Sequence, residues 1–215
     1  MQDQTHTYQG PAPDCGKCPR LTAFRRKNQD AFPDKFNGAV PAFGDMSSEL
    51  LVVGLAPGLK GANFTGRPFT GDYAGDLLYP CLKNSGFATG EYGASPDDGF
   101  ELKNARVTNA VRCVPPQNKP VGAEMANCRP FLNDEIQAMP NLKVVLALGG
   151  IAHKQAIKVF GARQVDHKFG HQNQHDMGAI RLFDSYHCSR YNVNTGRLTE
   201  EMFMNVLSDI REFLS

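Results

Sequence analysis

The chain has 215 residues, 41% of them hydrophobic, and a formal net charge of +1. That length and apolar content suit one α/β-sized domain with a substantial core, and no apolar run approaches the ~20 residues a bilayer span needs. The near-neutral balance excludes a global basic field, so any nucleic-acid contact has to come from a local patch. The start, MQDQTHTYQGPAPD, lacks the basic and apolar stretches of a secretory signal, and a cytoplasmic location is expected.

In chain order, His6 falls in an N-terminal tail and is followed by Cys15-x2-Cys18. Leu50–Leu55 reads as a short buried strand because it is apolar and rich in β-formers. It empties into a turn that, with its flanks, holds six glycines and two prolines between residues 49 and 76. So much glycine lets backbone approach a ligand. Phe69 and Asp72 in this loop point to a pocket that stacks a flat ring and does charge chemistry beside it. Gly61-x4-Gly66-Arg67-Pro68 comes near a phosphate-binding P-loop, but Pro68 cannot supply the magnesium-binding hydroxyl. The spacing in Gly54-Leu55-Ala56-Pro57-Gly58 is also wrong for a dinucleotide fingerprint.

A helix is predicted over Asp76–Asn84, with Cys81 on its core face, and a surface loop over Gly86–Gly99. The second strand, Arg106–Val111, carries Asn109 and leads to Cys113-x14-Cys128, whose second cysteine lies in a helix predicted over Gly122–Ala138. Together Cys15, Cys18, Cys113 and Cys128 have metal-ligand spacing, and four thiolates fit either a structural zinc or an iron–sulfur cluster. The third strand is Lys143–Leu148 and the next helix Ile151–Phe160, where His153 is expected as a surface or capping residue. His167, His171 and His175 recur every fourth residue, but Gly170 and Gly178 make this a loop or hairpin, where helical metal spacing has no meaning. The fourth strand, Ala179–Tyr186, ends at His187, and Cys188 is expected to lie beneath the loop that follows. A closing helix from Thr199 to Leu214 has a capping threonine, first-turn acids and a core stripe of Met202, Phe203, Val206, Ile210, Phe213 and Leu214.

Strands alternating with helices predict a three-layer α/β/α sandwich around a central four-stranded parallel sheet, with ligands beyond the carboxyl ends of the strands. No linker interrupts it. The expectation is a single domain over residues 1–215, with the cysteine-bearing segment of about residues 1–30 packed on it. Lys60 and Arg67 in the first loop, with Arg190 and Arg197 in the last, are the candidate basic patch.

Five motifs in order carry a resemblance: Gly54-Leu55-Ala56-Pro57-Gly58; Gly66-Arg67-Pro68-Phe69 with Gly71-Asp72; Thr108-Asn109-Ala110-Val111-Arg112-Cys113; Ser185-Tyr186-His187; and Asn194-Thr195-Gly196-Arg197-Leu198-Thr199. With the four cysteines they resemble the iron–sulfur uracil-DNA glycosylases over nearly the whole chain, most of all the family 5 (type B) branch. The family 4 branch has Glu where this chain has Leu55, which leaves Asp72 as the nearest replacement acid. His187-Cys188-Ser189 departs from the superfamily's His-Pro-Ser.

The resemblance implies a monofunctional glycosylase that removes uracil, and other deaminated bases such as hypoxanthine and xanthine, from DNA. It assigns catalysis to Asp72, His187 and Asn109, and base binding to Gly54, Ala56, Pro57, Gly58, Phe69 and Asn109. It sends Ser189, Arg190, Tyr191 and Arg197 toward the DNA groove, places a [4Fe-4S] cluster on the four cysteines, and implies a monomer acting on DNA with no membrane partner. A non-catalytic iron–sulfur module that binds damaged DNA is the alternative.

Overall fold

The computed structural model describes residues 8–215, so His6 lies outside the described residues. At its centre is a six-stranded sheet in which β1 (Phe43–Gly44), β5 (Ala105–Asn109), β2 (Leu50–Gly54), β6 (Val144–Leu148), β8 (Arg181–Ser185) and β7 (Gln174–Asp176) lie side by side in that order. The four inner strands are parallel, with Val53 opposite Thr108 on one side and Ala147 on the other. Both edges are antiparallel additions, β1 on β5 and β7 on β8. The four-stranded expectation is therefore the parallel core of a larger mixed sheet. Its two extra strands are short, and Gln174-His175-Asp176 offers no apolar signal to read. Short polar edges of this kind also discourage pairing with other chains.

Alternation along each inner strand divides the core between two faces. Leu50, Val52, Val144 and Leu146 pack with α3 (Tyr73–Asn84) and α7 (Glu200–Leu214), through Leu78, Tyr79, Phe203, Val206 and Ile210. Leu51, Val53, Val145 and Ala147 face the other way onto α4 (Gly122–Ala138) and α5 (Gly150–Val159), through Leu132, Ile136, Ala152 and Ala156. Three layers result. Thr199 caps α7 as expected, its side chain accepting from the Met202 N–H at 3.1 Å.

Besides the two edge strands, further elements lie where no helix or strand was expected. The first is α1 (Pro19–Ala31), whose buried positions are Leu21, Arg25 and Asn28. Helical spacing is there, but two of the three residues are polar, so no apolar stripe announces it. The segment expected as a loop over Gly86–Gly99 contains a strand, β3 (Ala88–Thr89), which pairs with β4 (Glu101–Leu102) in a two-stranded ribbon. The two functional loops each contain a short helix, α2 (Ala62–Thr65) and α6 (Arg190–Asn194). Among the described residues no helix is long and apolar enough to cross a membrane.

Candidate active site

The carboxyl ends of β2, β5 and β8 release three loops, and their side chains enclose a cavity of about 370 Å³. Ala56, Pro57 and Gly58 form one wall, Phe69, Asp72 and Asn109 a second, and His187, Ser189 and Arg190 the third. Nine of the residues named from the sequence thus meet in one place. The lining is mostly apolar with a few convergent polar groups, as in small-ligand sites generally.

Asp72 occupies the N-cap of α3 and accepts from the Gly75 N–H at 3.3 Å. Enclosure by the apolar cavity wall raises its pKa, while the N–H groups of Gly75 and Ala74 pull in the opposite direction. The carboxylate has room because glycines surround it: a Cβ on Gly61 would come within 2.6 Å of Oδ2, and one on Gly58 within 3.3 Å.

Phe69 is almost fully buried and sits in the left-handed region at φ +52°, an uncommon conformation for a bulky residue. Its carbonyl oxygen accepts from the Tyr92 hydroxyl at 3.1 Å, and the Tyr79 hydroxyl donates to the preceding Pro68 carbonyl. A side chain at Gly75 would collide with the Phe69 carbonyl, and one at Gly54 with both the Phe69 ring and Asn109 Oδ1. Gly54 thus lies behind the cavity wall, where its bareness lets Phe69 and Asn109 stand together. The ring of Phe69 is 6.1 Å from that of His187, at 33° to it.

His187 follows β8, and its carbonyl oxygen accepts from Asn192 Nδ2 at 2.8 Å, which fixes the loop between them. Burial alone pushes its pKa down to about 4, because no acid balances the lost hydration. The imidazole is therefore neutral at neutral pH, which the sequence left open. Cys188 is buried beneath this loop, as expected, and burial holds its thiol protonated.

The basic patch needs one correction. Arg67 does not face solvent. Its guanidinium is buried, pairs with both oxygens of Asp98 at 2.8 and 2.6 Å, and lies over the rings of Phe43, Tyr79 and Tyr92. It braces the loop that carries Phe69 and has no free donor face for a phosphate. Lys60, Arg190, Tyr191 and Arg197 are exposed, and Tyr191 is 72% open. Arg190 lies over Tyr73, and Arg197 over Tyr186 at 4.6 Å.

Two polar lining residues escaped sequence reasoning, Tyr73 and Asn118. Asn118 and its neighbour Gln117 are both left-handed at φ +57°. The Pro-Pro-Gln-Asn-Lys-Pro run is turn chemistry, and asparagine tolerates that conformation; this was the available signal.

Cys15, Cys18, Cys113 and Cys128 line a second, smaller cavity between α1 and α4. N–H groups surround the sulfurs: Arg25 Nη1 is 3.6 Å from Cys113 Sγ, the Arg112 amide 3.4 Å from Cys128 Sγ, and Asn127 Nδ2 3.7 Å from Cys18 Sγ. Burial raises Cys18 and Cys128, and carries Cys113 to about 11. Thiols so placed are protonated without a metal and become thiolates on binding one. Converging sulfurs with N–H donors around them fit such a group.

His167, His171 and His175 lie in a loop and hairpin as expected, but His153 does not lie where it was expected. His171 stacks on Tyr186 at 5.0 Å and accepts from its amide, while His153 is wholly buried beside Asp184. His153 is thus neither a surface nor a capping residue.

The profile of the Uracil DNA glycosylase superfamily matches residues 41–211, which include all three walls of the cavity. The chain belongs to that superfamily. Among its relatives are a Type-5 uracil-DNA glycosylase of Thermus thermophilus, 41% identical over 203 residues and covering 92% of each chain. One of Pyrobaculum aerophilum is 37% identical over 199 residues, or 90% of this chain and 86% of the other. A Type-4 uracil-DNA glycosylase of Pyrobaculum aerophilum is 33% identical over 151 residues, 70% of this chain and 63% of its own. The superfamily match begins after Cys15 and Cys18, so that half of the thiol set lies outside it.

Proposed function

We propose that the protein is a uracil-DNA glycosylase of the Type-5 kind, a hydrolase of base-excision repair that cuts the N-glycosidic bond without cutting the strand. The observation that carries this is the meeting of Asp72, Asn109, His187 and Phe69 around one cavity at the carboxyl ends of the parallel strands.

The bond between sugar C1′ and base nitrogen breaks with charge separation: the sugar turns oxocarbenium-like and the base leaves as an anion. The Asp72 carboxylate stabilises the cationic sugar and orients the attacking water. Asn109, with an amide that both donates and accepts, reads the base edge or holds that water. His187, neutral, donates its ring N–H to a base carbonyl oxygen where negative charge grows; one well-aimed donor is worth about 3–4 kcal/mol in a transition state. The extruded base stacks on Phe69, which offsets part of the few kcal/mol that unstacking costs. Backbone of Gly54–Gly58 borders the base. Lys60, Tyr191 and Arg197 contact the DNA outside the cavity, and Ser189 and Arg190 contact it from the cavity wall. Among the described residues no lysine lines the cavity to form a Schiff base, which supports hydrolysis alone.

Cys15, Cys18, Cys113 and Cys128 would hold a [4Fe-4S] cluster, whose chemistry here is structural cross-linking. These four residues would then tie the segment before α1 to the loop after β5 and to α4, holding the chain as one domain. The breadth we infer includes hypoxanthine and xanthine, and the protein acts as a cytoplasmic monomer. A non-catalytic damage-binding module would need no carboxylate and imidazole on one cavity, and both are there.

The test is a duplex with a single uracil, incubated with folded, cluster-loaded protein and then with alkali. Strand breakage only after alkali is expected, on hypoxanthine and xanthine duplexes as well. An intact uracil strand after alkali would overturn the enzymatic reading.

A further inference from the structure

On the far side of β8 from α7, three side chains the reaction does not use converge. His153 of α5 and Asp184 of β8 are wholly buried, and His175 of the edge strand β7 is 10% exposed. Their nearest ligand atoms lie within 4.8 Å of one another.

The hydrogen-bond arithmetic of His153 is the decisive feature. Its Nε2 is 2.8 Å from the His167 carbonyl oxygen, an atom that only accepts, so Nε2 carries a hydrogen. In the neutral ring Nδ1 then presents a lone pair, and it faces Asp184 Oδ1 at 2.8 Å. A lone pair and a carboxylate oxygen hold that approach only with a proton or a metal ion between them. The other carboxylate oxygen, Oδ2, meets His175 Nε2 at 3.0 Å and the Gly170 amide at 3.4 Å. Nothing else of positive charge reaches this buried carboxylate among the described residues.

We propose that His153, His175 and Asp184 form a zinc-binding site that fastens β7 and α5 to β8. Two imidazoles and one carboxylate are a donor set zinc accepts, with N and O ligands at roughly 2.0–2.2 Å. Ligand atoms around a tetrahedral zinc stand roughly 3.3 Å apart by that geometry, so the two histidine–carboxylate pairs, now at 2.8 and 3.0 Å, open by a few tenths of an ångström. The His167 carbonyl supplies the outer partner that a zinc-bound imidazole usually has, fixing its tautomer and orientation. A fourth position lies toward His167, whose ring is 5.6 Å from that of His175. The site shares no residue with the thiol set and is independent of the glycosylase reading. Its service is mechanical: Asp184 is three residues before His187, so the metal holds the strand that aims the imidazole.

The experiment uses full-length, cluster-loaded protein, stripped with a chelator and titrated with zinc against a chromogenic competitor. His175→Gln, at the sheet edge, is the comparison variant, its fold checked by circular dichroism. Wild type is expected to bind one equivalent more than His175→Gln, and Cys113→Ser to retain that equivalent. Zinc should raise the wild-type melting temperature and leave that of His175→Gln unmoved. X-ray absorption at the zinc edge of loaded wild type should give a nitrogen and oxygen shell at ~2.0 Å, not sulfur at ~2.3 Å. Equal stoichiometry in wild type and His175→Gln, a sulfur shell, or no zinc retained at micromolar free metal would overturn the proposal. The last result would assign a proton to the place between His153 and Asp184.

Discussion

Asp72→Asn separates charge from structure at the point where the proposed mechanism depends on charge. Asparagine caps a helix about as well as aspartate, so the bond from the Gly75 N–H survives and stability should change by only a few tenths of a kcal/mol. What disappears is the negative charge opposite a cationic sugar. At a separation of roughly 4–5 Å and an effective dielectric of about 20, that charge is worth about 3–4 kcal/mol, or ~10²–10³-fold in rate. Single-turnover cleavage of a uracil duplex, with enzyme in excess, reads the chemical step; fluorescence anisotropy on the same duplex reads affinity. The rate should fall by that factor while affinity holds. Gly61→Ala provides the complement, since its added Cβ, 2.6 Å from Oδ2, displaces the carboxylate without discharging it. A misplacement of 1 Å can cost ~10²-fold, so that variant should also be slow. A folded Asp72→Asn protein cleaving within about threefold of wild type would remove the carboxylate from the reaction.

The pH profile of single-turnover cleavage should rise as Asp72 ionises, with its midpoint above the ordinary carboxylate range because burial raises that group. His187, held at about 4, should add no inflection near neutrality; an inflection close to 6.5 that vanishes in His187→Asn would contradict this. Phe69→Ala removes a base–aromatic stack of about 1–3 kcal/mol and should lower kcat/KM on uracil duplexes by roughly 10–100-fold, read by steady-state kinetics. Arg67→Met should destabilise the fold by about 3–5 kcal/mol in urea melts, since Asp98 is left buried and unpaired, while the salt dependence of DNA binding stays as in wild type. Arg197→Ala, at an exposed position, should instead reduce the slope of log affinity against log salt by about 1 and leave stability unchanged.

Legibility in the sequence followed the source of each element's stability. Val144–Leu148 and Gly122–Ala138 were readable because burial of apolar residues makes them, and their observed bounds differ from expectation by at most one residue. The helix at Pro19–Ala31 was not, since polar anchors hold it: Arg20 bonds Glu124 at 2.7 Å and Arg25 reaches the Asp14 carbonyl at 2.8 Å. Such partners lie 104 residues apart in one case and 11 in the other, and no periodicity records them. The site was legible as a set because glycine crowding around one acid and one aromatic is a local pattern. Arg67 was misplaced because a basic residue in a polar loop looks alike whether it meets solvent or Asp98. His153 was misplaced for the same reason, its partner Asp184 being a single acid hidden in an apolar strand.

The electrostatic design of the cavity follows from how its two titratable groups are supported. Asp72 stands at a helix N-terminus and accepts from backbone N–H groups, which favour its ionised form and offset part of the burial that opposes it. His187 has burial and no acidic partner, so its proton is lost and the ring stays a neutral donor. The cavity therefore carries one negative charge and no positive one from these two groups. Such a field stabilises a sugar that becomes cationic, and leaves the departing base to neutral dipoles. A charged imidazolium would pair with the carboxylate and cancel the field that the sugar needs. Neutrality at His187 and ionisation at Asp72 are thus one requirement, and the fold meets it by giving a helix end to the first residue and withholding any counter-ion from the second.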